Sequence, residues 1–249
     1  MTNMSGNDKP ISPPSGKLGV LLPGMGAVSS TLVAGIELYK RGLGQLVGSL
    51  TQNQSIRLGK RYEGRFCPIR EFVPLAEPED LVFGGWDIRD DSLFQGAITA
   101  GVLAREQLEP VREALEAVQP MAGIYDHRYL HNLEGTHVKQ GATKMELAHQ
   151  VMDDIEAFRE RHGLDRLVMI WCGSTEILPE ASPVHGSLEA LERGLADSAP
   201  EIPPSMIYAY AAIKLGIPYA NGAPNLNGDT PALLELAGET GTPIAGKDF

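Results

Sequence analysis

The chain has 249 residues, 43% of them hydrophobic and 21% charged, which is the balance of a globular protein with a sizeable buried core. Its 21 Lys and Arg face 32 Asp and Glu, and the resulting formal charge of −11 argues against nucleic acid or an anionic membrane as a partner. The two cysteines, Cys67 and Cys172, form neither a disulfide framework nor a zinc motif. Because no stretch resembles a secretory signal or a membrane span, we expect a cytoplasmic protein.

In chain order, the sequence first predicts a disordered leader and then one folded unit. Residues 1–16 are polar and rich in Pro, Ser and Asn, which is typical of disorder, and the domain then extends over residues 17–249. In its first half the patterns predict strands at 18–22, 46–50 and 81–83 and helices at 28–41, 92–105 and 109–118. Residues 56–78 are basic and punctuated by proline, so we expect an excursion from the sheet.

In the second half the patterns predict strands at 122–125, 167–171 and 243–245 and helices at 145–158, 205–215 and 231–237. Residues 126–141 carry three histidines without periodicity, and a loop of this length is more often functional than accidental. Strands that alternate with helices of ten residues or more indicate right-handed βαβ units. The predicted fold class is therefore α/β, a Rossmann-like doubly wound, mostly parallel sheet with helices on both faces.

The first predicted strand runs through a glycine-containing turn into the first helix. Gly24 and Gly26 stand where a dinucleotide site needs a tight turn and a close approach of the backbone to the pyrophosphate. Ser29 occupies the place of the usual third glycine and is small enough to pack closely. The same residues also suit a plain strand-to-helix turn, so the turn alone leaves both interpretations open.

An acidic partner for the cofactor's ribose is expected about 20 residues after such a turn. The segment Leu50-Thr51-Gln52 at that distance has none. Asp87, at the end of the third predicted strand, is the better candidate for this role. Its alternative role is to cap the helix that comes after it.

Two other groups of residues suggest different chemistry. Tyr210 and Lys214 form a Tyr-x-x-x-Lys pair, in which a lysine can lower the tyrosine pKa for acid–base work, although the apolar neighbours indicate a buried helix. The three histidines of the long loop, with Asp126, offer ligand types that metals accept, but their spacing matches no zinc motif. A polar surface loop accounts equally well for these histidines.

Five short segments in fixed order resemble the myo-inositol-1-phosphate synthase family, and the resemblance extends over residues 17–249. These segments are residues 24–32 (GMGAVSSTL), 84–88 (GGWDI), 171–176 (WCGSTE), 219–224 (YANGAP) and 244–249 (IAGKDF). The resemblance implies conversion of glucose 6-phosphate to inositol 3-phosphate, for phospholipid biosynthesis among other uses, by a homotetramer. It also implies NAD as the cofactor, which is reduced by the sugar and reoxidised within each turnover.

Carried over onto this sequence, the resemblance assigns cofactor contacts to two turns and three further positions. These residues are Gly24, Met25, Gly26, Ala27, Val28, Ser29, Asp87, Cys172, Gly173, Ser174, Thr175, Gly222, Ala223 and Asp248. In the family, a lysine-containing segment and then the catalytic and tetramer-forming domain come after the last strand. Because the sequence stops before them, the resemblance predicts a truncated chain that holds the NAD-binding part, and it assigns neither a catalytic residue nor a metal ligand.

Two other functions stay open at this stage. One is a simple NAD(P)-dependent dehydrogenase that uses Tyr210 and Lys214, and it would release NADH rather than recycle it. The other is a non-catalytic nucleotide-binding module. Both functions keep the dinucleotide turn, but only the dehydrogenase adds chemistry to it.

Overall fold

A computed structural model describes residues 15–248 of the chain. The predicted disordered leader lies outside the described residues, apart from Ser15 and Gly16. The strands are β1 (Leu18–Pro23), β2 (Ser55–Leu58), β3 (Arg65–Pro68), β4 (Leu81–Asp87), β5 (Met121–Ala122), β6 (Arg166–Trp171), β7 (Tyr219–Asn221) and β8 (Ile244–Gly246).

The helices connect and cover these strands. They are α1 (Ala27–Lys40), α2 (Leu50–Asn53), α3 (Ile69–Phe72), α4 (Leu93–Ala100), α5 (Arg105–Leu108), α6 (Arg112–Glu116), α7 (Lys144–His162), α8 (Leu188–Ala196), α9 (Pro204–Lys214) and α10 (Pro231–Thr240). Short 3₁₀ turns occur at Arg61–Glu63, Pro78–Asp80, Glu109–Val111 and Pro183–His185. In the described part of the chain, no helix combines the length and the apolar character that a membrane crossing requires.

Six strands form one sheet in the order β5-β4-β1-β6-β7-β8, and each neighbouring pair is parallel. Counted along the chain within this sheet, the order is third, second, first, fourth, fifth, sixth, which is the order of dinucleotide-binding folds. The predicted α/β doubly wound class is thereby confirmed. The order reverses between β1 and β6, which creates a crevice outside the carboxyl ends of these strands.

The central strand β1 shows why helices cover both faces of the sheet. Val20 and Leu22 belong to one hydrophobic core, together with buried residues of α1, α4 and α6. Leu21 points the other way, into a second core built by α7, α8, α9 and α10. Successive side chains of a strand point to opposite faces of the sheet, and in β1 the side chains on both faces are apolar. Each face of the sheet therefore requires a layer of helices to cover it.

Helix α9 is almost entirely apolar because other helices surround it. Its residues from Pro204 to Ile213 are all buried, and it contacts α7 on one side and α10 on the other. A helix that is hydrophobic all round is expected to lie in the interior. The sequence-based prediction of a buried helix over 205–215 is confirmed within a residue at each end.

The prediction of a strand at 46–50 is wrong. Residues 46–49 form turns, and Leu50 begins the short helix α2. The whole stretch 41–80, here called the insertion, lies outside the main sheet and carries the antiparallel hairpin of β2 and β3. The predicted strand thus lies in the insertion, before the hairpin, and has no strand partner among the described residues.

Other differences concern lengths and boundaries. The predicted helix 92–105 ends at Ala100, because Gly101 adopts the left-handed conformation (φ 64°) that terminates helices. The predicted strand 122–125 overlaps β5 only at Ala122, because β5 has just two residues and begins at Met121. Strand β7 and helix α8 were not predicted.

Candidate functional site

A cleft of about 990 Å³ lies at the carboxyl ends of β1, β4, β6 and β7. This is the crevice at which the strand order reverses, where open α/β sheets bind their ligands. Its size is at the upper end of the range for cofactor and small-molecule pockets. Most residues that the resemblance assigned to the cofactor line it: Gly24, Gly26, Ala27, Val28, Asp87, Cys172, Gly173, Ser174, Thr175, Gly222, Ala223 and Asp248.

The turn after β1 is built around two glycines with different surroundings. Gly24 has φ +88°, and a Cβ added to it would lie 2.3 Å from Gly173 Cα, so only glycine fits between the two cleft-lining turns. A Cβ added to Gly26 would meet no atom within 4 Å. Gly26 therefore leaves the backbone open to an approaching ligand rather than to a protein neighbour.

Helix α1 begins directly behind this turn and presents its N-terminus to the cleft. Its N-cap is Gly26, no side chain caps it, and no acidic residue lies in its first turn. The free N–H groups and the positive end of the helix dipole therefore face the cleft without a protein anion to satisfy them. A helix N-terminus of this kind is suited to binding an anion.

Met25 and Ser29 are not among the described residues that line the cleft, and their contact with the cofactor stays a prediction. Met25 packs its side chain into the core beneath α1, and its backbone N–H donates to Asp87 Oδ2 at 2.8 Å. Ser29 is fully buried, and its Oγ donates to the Gly24 carbonyl at 2.6 Å. Both residues support the turn from behind.

Asp87 occupies the position that dinucleotide-binding sheets give to an acidic residue. Strand β4 lies next to β1 and is the second strand of the sheet, not the third as predicted. The insertion separates the two strands in sequence, which is why an acidic residue about 20 positions after the turn was absent. Asp87 Oδ1 also accepts from Arg89 N at 3.1 Å, so the carboxylate is fixed at the end of β4.

The second turn, at Cys172–Thr175, meets the first across the crevice. Cys172 N donates to the Pro23 carbonyl at 2.9 Å, which joins the ends of β6 and β1. Gly173 packs against the Trp171 ring, where an added Cβ would lie 2.7 Å from a ring carbon. Burial raises the pKa of the Cys172 thiol to about 11, so this sulfur stays protonated and is not an activated nucleophile.

Glu176 comes after this turn as a buried carboxylate, 6% exposed. Its oxygens accept from Ser205 N at 2.8 Å, from Ser205 Oγ, and from Asn225 Nδ2 at 3.3 Å. It thereby caps the N-terminus of α9 from a distant part of the chain. Burial outweighs these bonds and raises its pKa to about 7.

Three aromatic rings form the wall of the cleft beneath the turns. Tyr208 lies between Trp86 and Trp171, with ring centroids 5.3 Å and 5.7 Å away. Its hydroxyl accepts from Ile124 N at 2.9 Å, which ties the start of the long loop to α9. Sequence reasoning missed Tyr208, whose apolar helical setting gave no sign of a cleft.

The long loop closes one side of the cleft through His131, Asn132, Leu133 and Glu134. The structure does not assemble the loop histidines into a metal site. His137 Nε2 lies 3.2 Å from the Pro120 carbonyl, whereas His127 and His131 contact each other edge to face. In residues 15–248, no three His, Cys, Asp or Glu side chains lie close enough to hold a metal ion together.

Tyr210 and Lys214 lie on α9 and do not line the cleft. Both donate to the same oxygen, Glu192 Oε1, at 2.9 Å and 2.7 Å. Burial and the neighbouring carboxylate raise the Tyr210 pKa, which is the opposite of what a catalytic phenolate needs. The pair serves to join α9 to α8.

Comparison with known proteins gives a consistent set of relatives. Residues 18–249 match the NAD-binding profile of the myo-inositol-1-phosphate synthase family, which confirms the prediction of NAD as the cofactor. Inositol-3-phosphate synthase 1 of Bacteroides thetaiotaomicron is 42% identical over 96% of this chain and 56% of its own length. The enzyme of Brassica napus is 34% identical over 94% of this chain and 48% of its own.

The crystal structure of inositol-3-phosphate synthase from Caenorhabditis elegans superimposes on this chain with a TM-score of 0.85. The superposition covers 96% of this chain and 50% of the worm protein, with 28% sequence identity. The chain thus spans about half the length of the relatives that it matches.

Proposed function

The chain belongs to the myo-inositol-1-phosphate synthase family, and from this premise we propose that it is the NAD-binding part of an inositol-3-phosphate synthase. The whole protein would convert glucose 6-phosphate to inositol 3-phosphate and so supply inositol for phospholipid biosynthesis. NAD would accept a hydride from the sugar and return it within the same turnover, so that no NADH accumulates.

One observation carries the proposal more than any other. Two turns from separate strands, at Gly24–Val28 and Cys172–Thr175, come together on either side of the crevice where the strand order reverses. A simple strand-to-helix turn, the alternative interpretation of the glycines, would not require a second small-residue turn opposite it. The pair forms a cradle with free N–H groups on one side.

The residues present fit the parts of a dinucleotide. In our proposal the N-terminus of α1 binds the pyrophosphate through its N–H groups, and Gly26 allows the close approach. The Asp87 carboxylate accepts from a ribose hydroxyl at the end of β4. Gly222, Ala223 and Asp248 would line the nicotinamide half, on the far side of β6.

We also propose that the protein assembles from identical subunits, as the tetramer implied by the family would. Large exposed hydrophobic side chains in the described residues are concentrated in the insertion: Leu43, Val47, Leu50, Ile56, Tyr62, Phe66 and Phe72. Exposed hydrophobic side chains that are concentrated in one segment favour an interface there. Five basic residues between Arg57 and Arg70 complement the net charge of −11 that a second copy carries.

This assembly is tested by sedimentation of the purified protein across a range of concentrations. We expect Phe66→Ser to weaken self-association and Leu234→Ser, a matched exposed position on α10, to leave it unchanged. Equal behaviour of the two variants would count against the insertion as the contact surface.

The same protein is proposed to be cytoplasmic, in agreement with its two free cysteines.

The proposed activity is tested with glucose 6-phosphate and NAD⁺ in the protein that carries this domain. Inositol phosphate should form while absorbance at the NADH maximum stays at its starting level. Accumulation of NADH in proportion to substrate would instead indicate a simple dehydrogenase. Binding of NAD⁺ without any product would leave the non-catalytic nucleotide-binding module as the better description.

A further inference from the structure

A third turn, at residues 222–225, follows directly after β7 and lies beside the second turn. Three of its residues line the cleft: Gly222, Ala223 and Pro224. Its start is fixed by Gly222 N, which donates to the Trp171 carbonyl at 3.1 Å. The Asn221 side chain closes the turn on itself, since its Oδ1 accepts from Ala223 N at 3.0 Å and its Nδ2 donates to the Asn225 carbonyl at 2.9 Å. The turn is therefore a unit whose far end has to be placed against its neighbours.

Two hydrogen bonds of opposite direction join this far end to the residue that follows the second turn. Glu176 N donates to Asn225 Oδ1 at 3.0 Å, and Asn225 Nδ2 donates to Glu176 Oε2 at 3.3 Å. The two residues are 6% and 2% exposed, so both bonds are shielded from water. A reciprocal pair of this kind fixes the distance and the orientation between the second and third turns.

The Glu176 carboxylate also connects these turns to α9. It accepts from Ser205 N at 2.8 Å and from Ser205 Oγ, and Tyr208 of the cleft wall lies one turn further along this helix. A glutamine would accept from Ser205 N equally well, but its amide nitrogen would face the amide nitrogen of Asn225. An ionised carboxylate has acceptors only, so it takes donors from Ser205 and Asn225 at once. The bond to the third turn thus gives a buried carboxylate a role here that the cap of α9 alone does not require.

We propose that Glu176 and Asn225 are positioning residues, which hold the second and third turns at the spacing that the nicotinamide half of the dinucleotide needs. Neither is among the described residues that line the cleft, so both act through the turns and not on the ligand. The adenosine half, on the β4 side of the crevice, does not depend on this pair. The inference rests on the proposed function, in which Gly222 and Ala223 line the nicotinamide half.

The test compares NAD⁺ with ADP-ribose, which keeps the pyrophosphate and both riboses but lacks nicotinamide. Both ligands are titrated by calorimetry at about pH 8, where a carboxyl group with a pKa of about 7 is mostly ionised. The wild-type chain should bind NAD⁺ several-fold more tightly than ADP-ribose. Glu176→Gln sets two amide nitrogens against each other, and turning either amide over only moves the conflict to a backbone N–H. This variant should lose most of the preference for NAD⁺ and keep its affinity for ADP-ribose.

The double variant Glu176→Gln/Asn225→Asp puts a donor opposite an acceptor again, with the two roles exchanged between the side chains. We expect it to regain most of the preference for NAD⁺. The matched control is Glu192→Gln, which makes the same change in a carboxylate that joins α8 to α9 outside the cleft. It should leave the preference as it is in the wild type.

Asn225→Ala removes both bonds between the turns and keeps the test decisive if Glu176→Gln does not fold, with the same loss of preference expected. A preference that survives these variants, equal weakening of both ligands, or a double variant without rescue would overturn the inference. So would a wild-type chain that binds NAD⁺ and ADP-ribose equally. Folded wild-type protein that binds neither ligand would instead contradict the proposed site itself.

Discussion

The two glycines of the first turn make predictions at the residue scale directly testable, because they differ in their surroundings and in backbone conformation, with φ +88° at Gly24 and −84° at Gly26. Gly24→Ala places a Cβ against the Gly173 backbone at a positive φ, so we expect a loss of roughly 2 kcal/mol or more in the free energy of unfolding. Gly26→Ala meets no protein atom and should keep the melting temperature within a few degrees. In the proposed site its methyl group would occupy the space of the pyrophosphate, so NAD⁺ affinity should fall at least tenfold.

These two variants are compared by chemical denaturation and by NAD⁺ titration of the same preparations. A stable Gly24→Ala chain would mean that the two turns do not pack closely against each other. Unchanged affinity in Gly26→Ala would show that the ligand does not approach the backbone here.

Glu176 gives the protein a pH-dependent stability. Burial raises its pKa from 4.5 to about 7 in the folded chain, so the folded state binds a proton more tightly than the unfolded state. Its contribution is complete below pH 4.5 and is lost as the pH rises to about 7, by on the order of 3 kcal/mol.

The measurement is the free energy of unfolding of wild type and Glu176→Gln between pH 4.5 and 7. The neutral isostere keeps an acceptor for Ser205 N and should remove this slope. Identical pH profiles for the two proteins would mean that Glu176 does not titrate in this range.

Tyr210 separates the proposed site from the dehydrogenase alternative. Tyr210→Phe removes the hydrogen bond to Glu192 and keeps the packed ring, so we expect a loss of about 1 kcal/mol in stability. NAD⁺ affinity and any activity of the whole protein should stay within twofold of wild type. A loss of activity by two orders of magnitude would instead place the phenol in the chemistry.

At the scale of elements, a negative charge in the first turn of α1 should have opposite effects on helix stability and on ligand binding. Val28, 44% exposed, lies in that turn and lines the cleft. Val28→Asp adds a negative charge at the positive end of the helix dipole, so stability should rise by roughly 0.3–1 kcal/mol. The same charge repels a pyrophosphate, so NAD⁺ affinity should fall about tenfold.

Val28→Asn is the neutral control for this variant, and thermal melts with NAD⁺ titrations distinguish the two effects. A charge at this position that lowers stability and leaves affinity unchanged would show that α1 does not face the ligand.

The elements themselves could be predicted where sequence patterns were long, as in α9 and β1. The place of β4 next to β1 could not, because the insertion separates these strands in sequence and only the sheet order reveals their adjacency. For the same reason Asp87 was found by its place at the end of a predicted strand, and then by resemblance, and not by its distance from the turn. The side-chain directions of Met25 and Ser29 could not be predicted, because a turn's sequence does not tell which side chains point away from the cleft.

At the scale of the whole molecule, the two cores on either side of the sheet hold the strand ends at fixed positions. Trp86, Tyr208 and Trp171 connect the cleft wall directly to the core built by α7 to α10. Residues that contact a ligand thus rest on a rigid scaffold rather than on the long loop alone. Ligand binding should accordingly raise the free energy of unfolding of the whole fold by mass action. The expected gain is about 2.7 kcal/mol when the free NAD⁺ concentration is 100 times Kd.

The central claim is that the backbone N–H groups at the start of α1 hold the twin phosphates of NAD. It is tested most directly by measuring backbone amide resonances of the isotope-labelled chain during a titration with NAD⁺. We predict saturable shifts that are largest at Gly26, Ala27 and Val28 and at Gly173 across the crevice. A folded chain whose amides do not respond, or respond mainly away from these two turns, would contradict the claim.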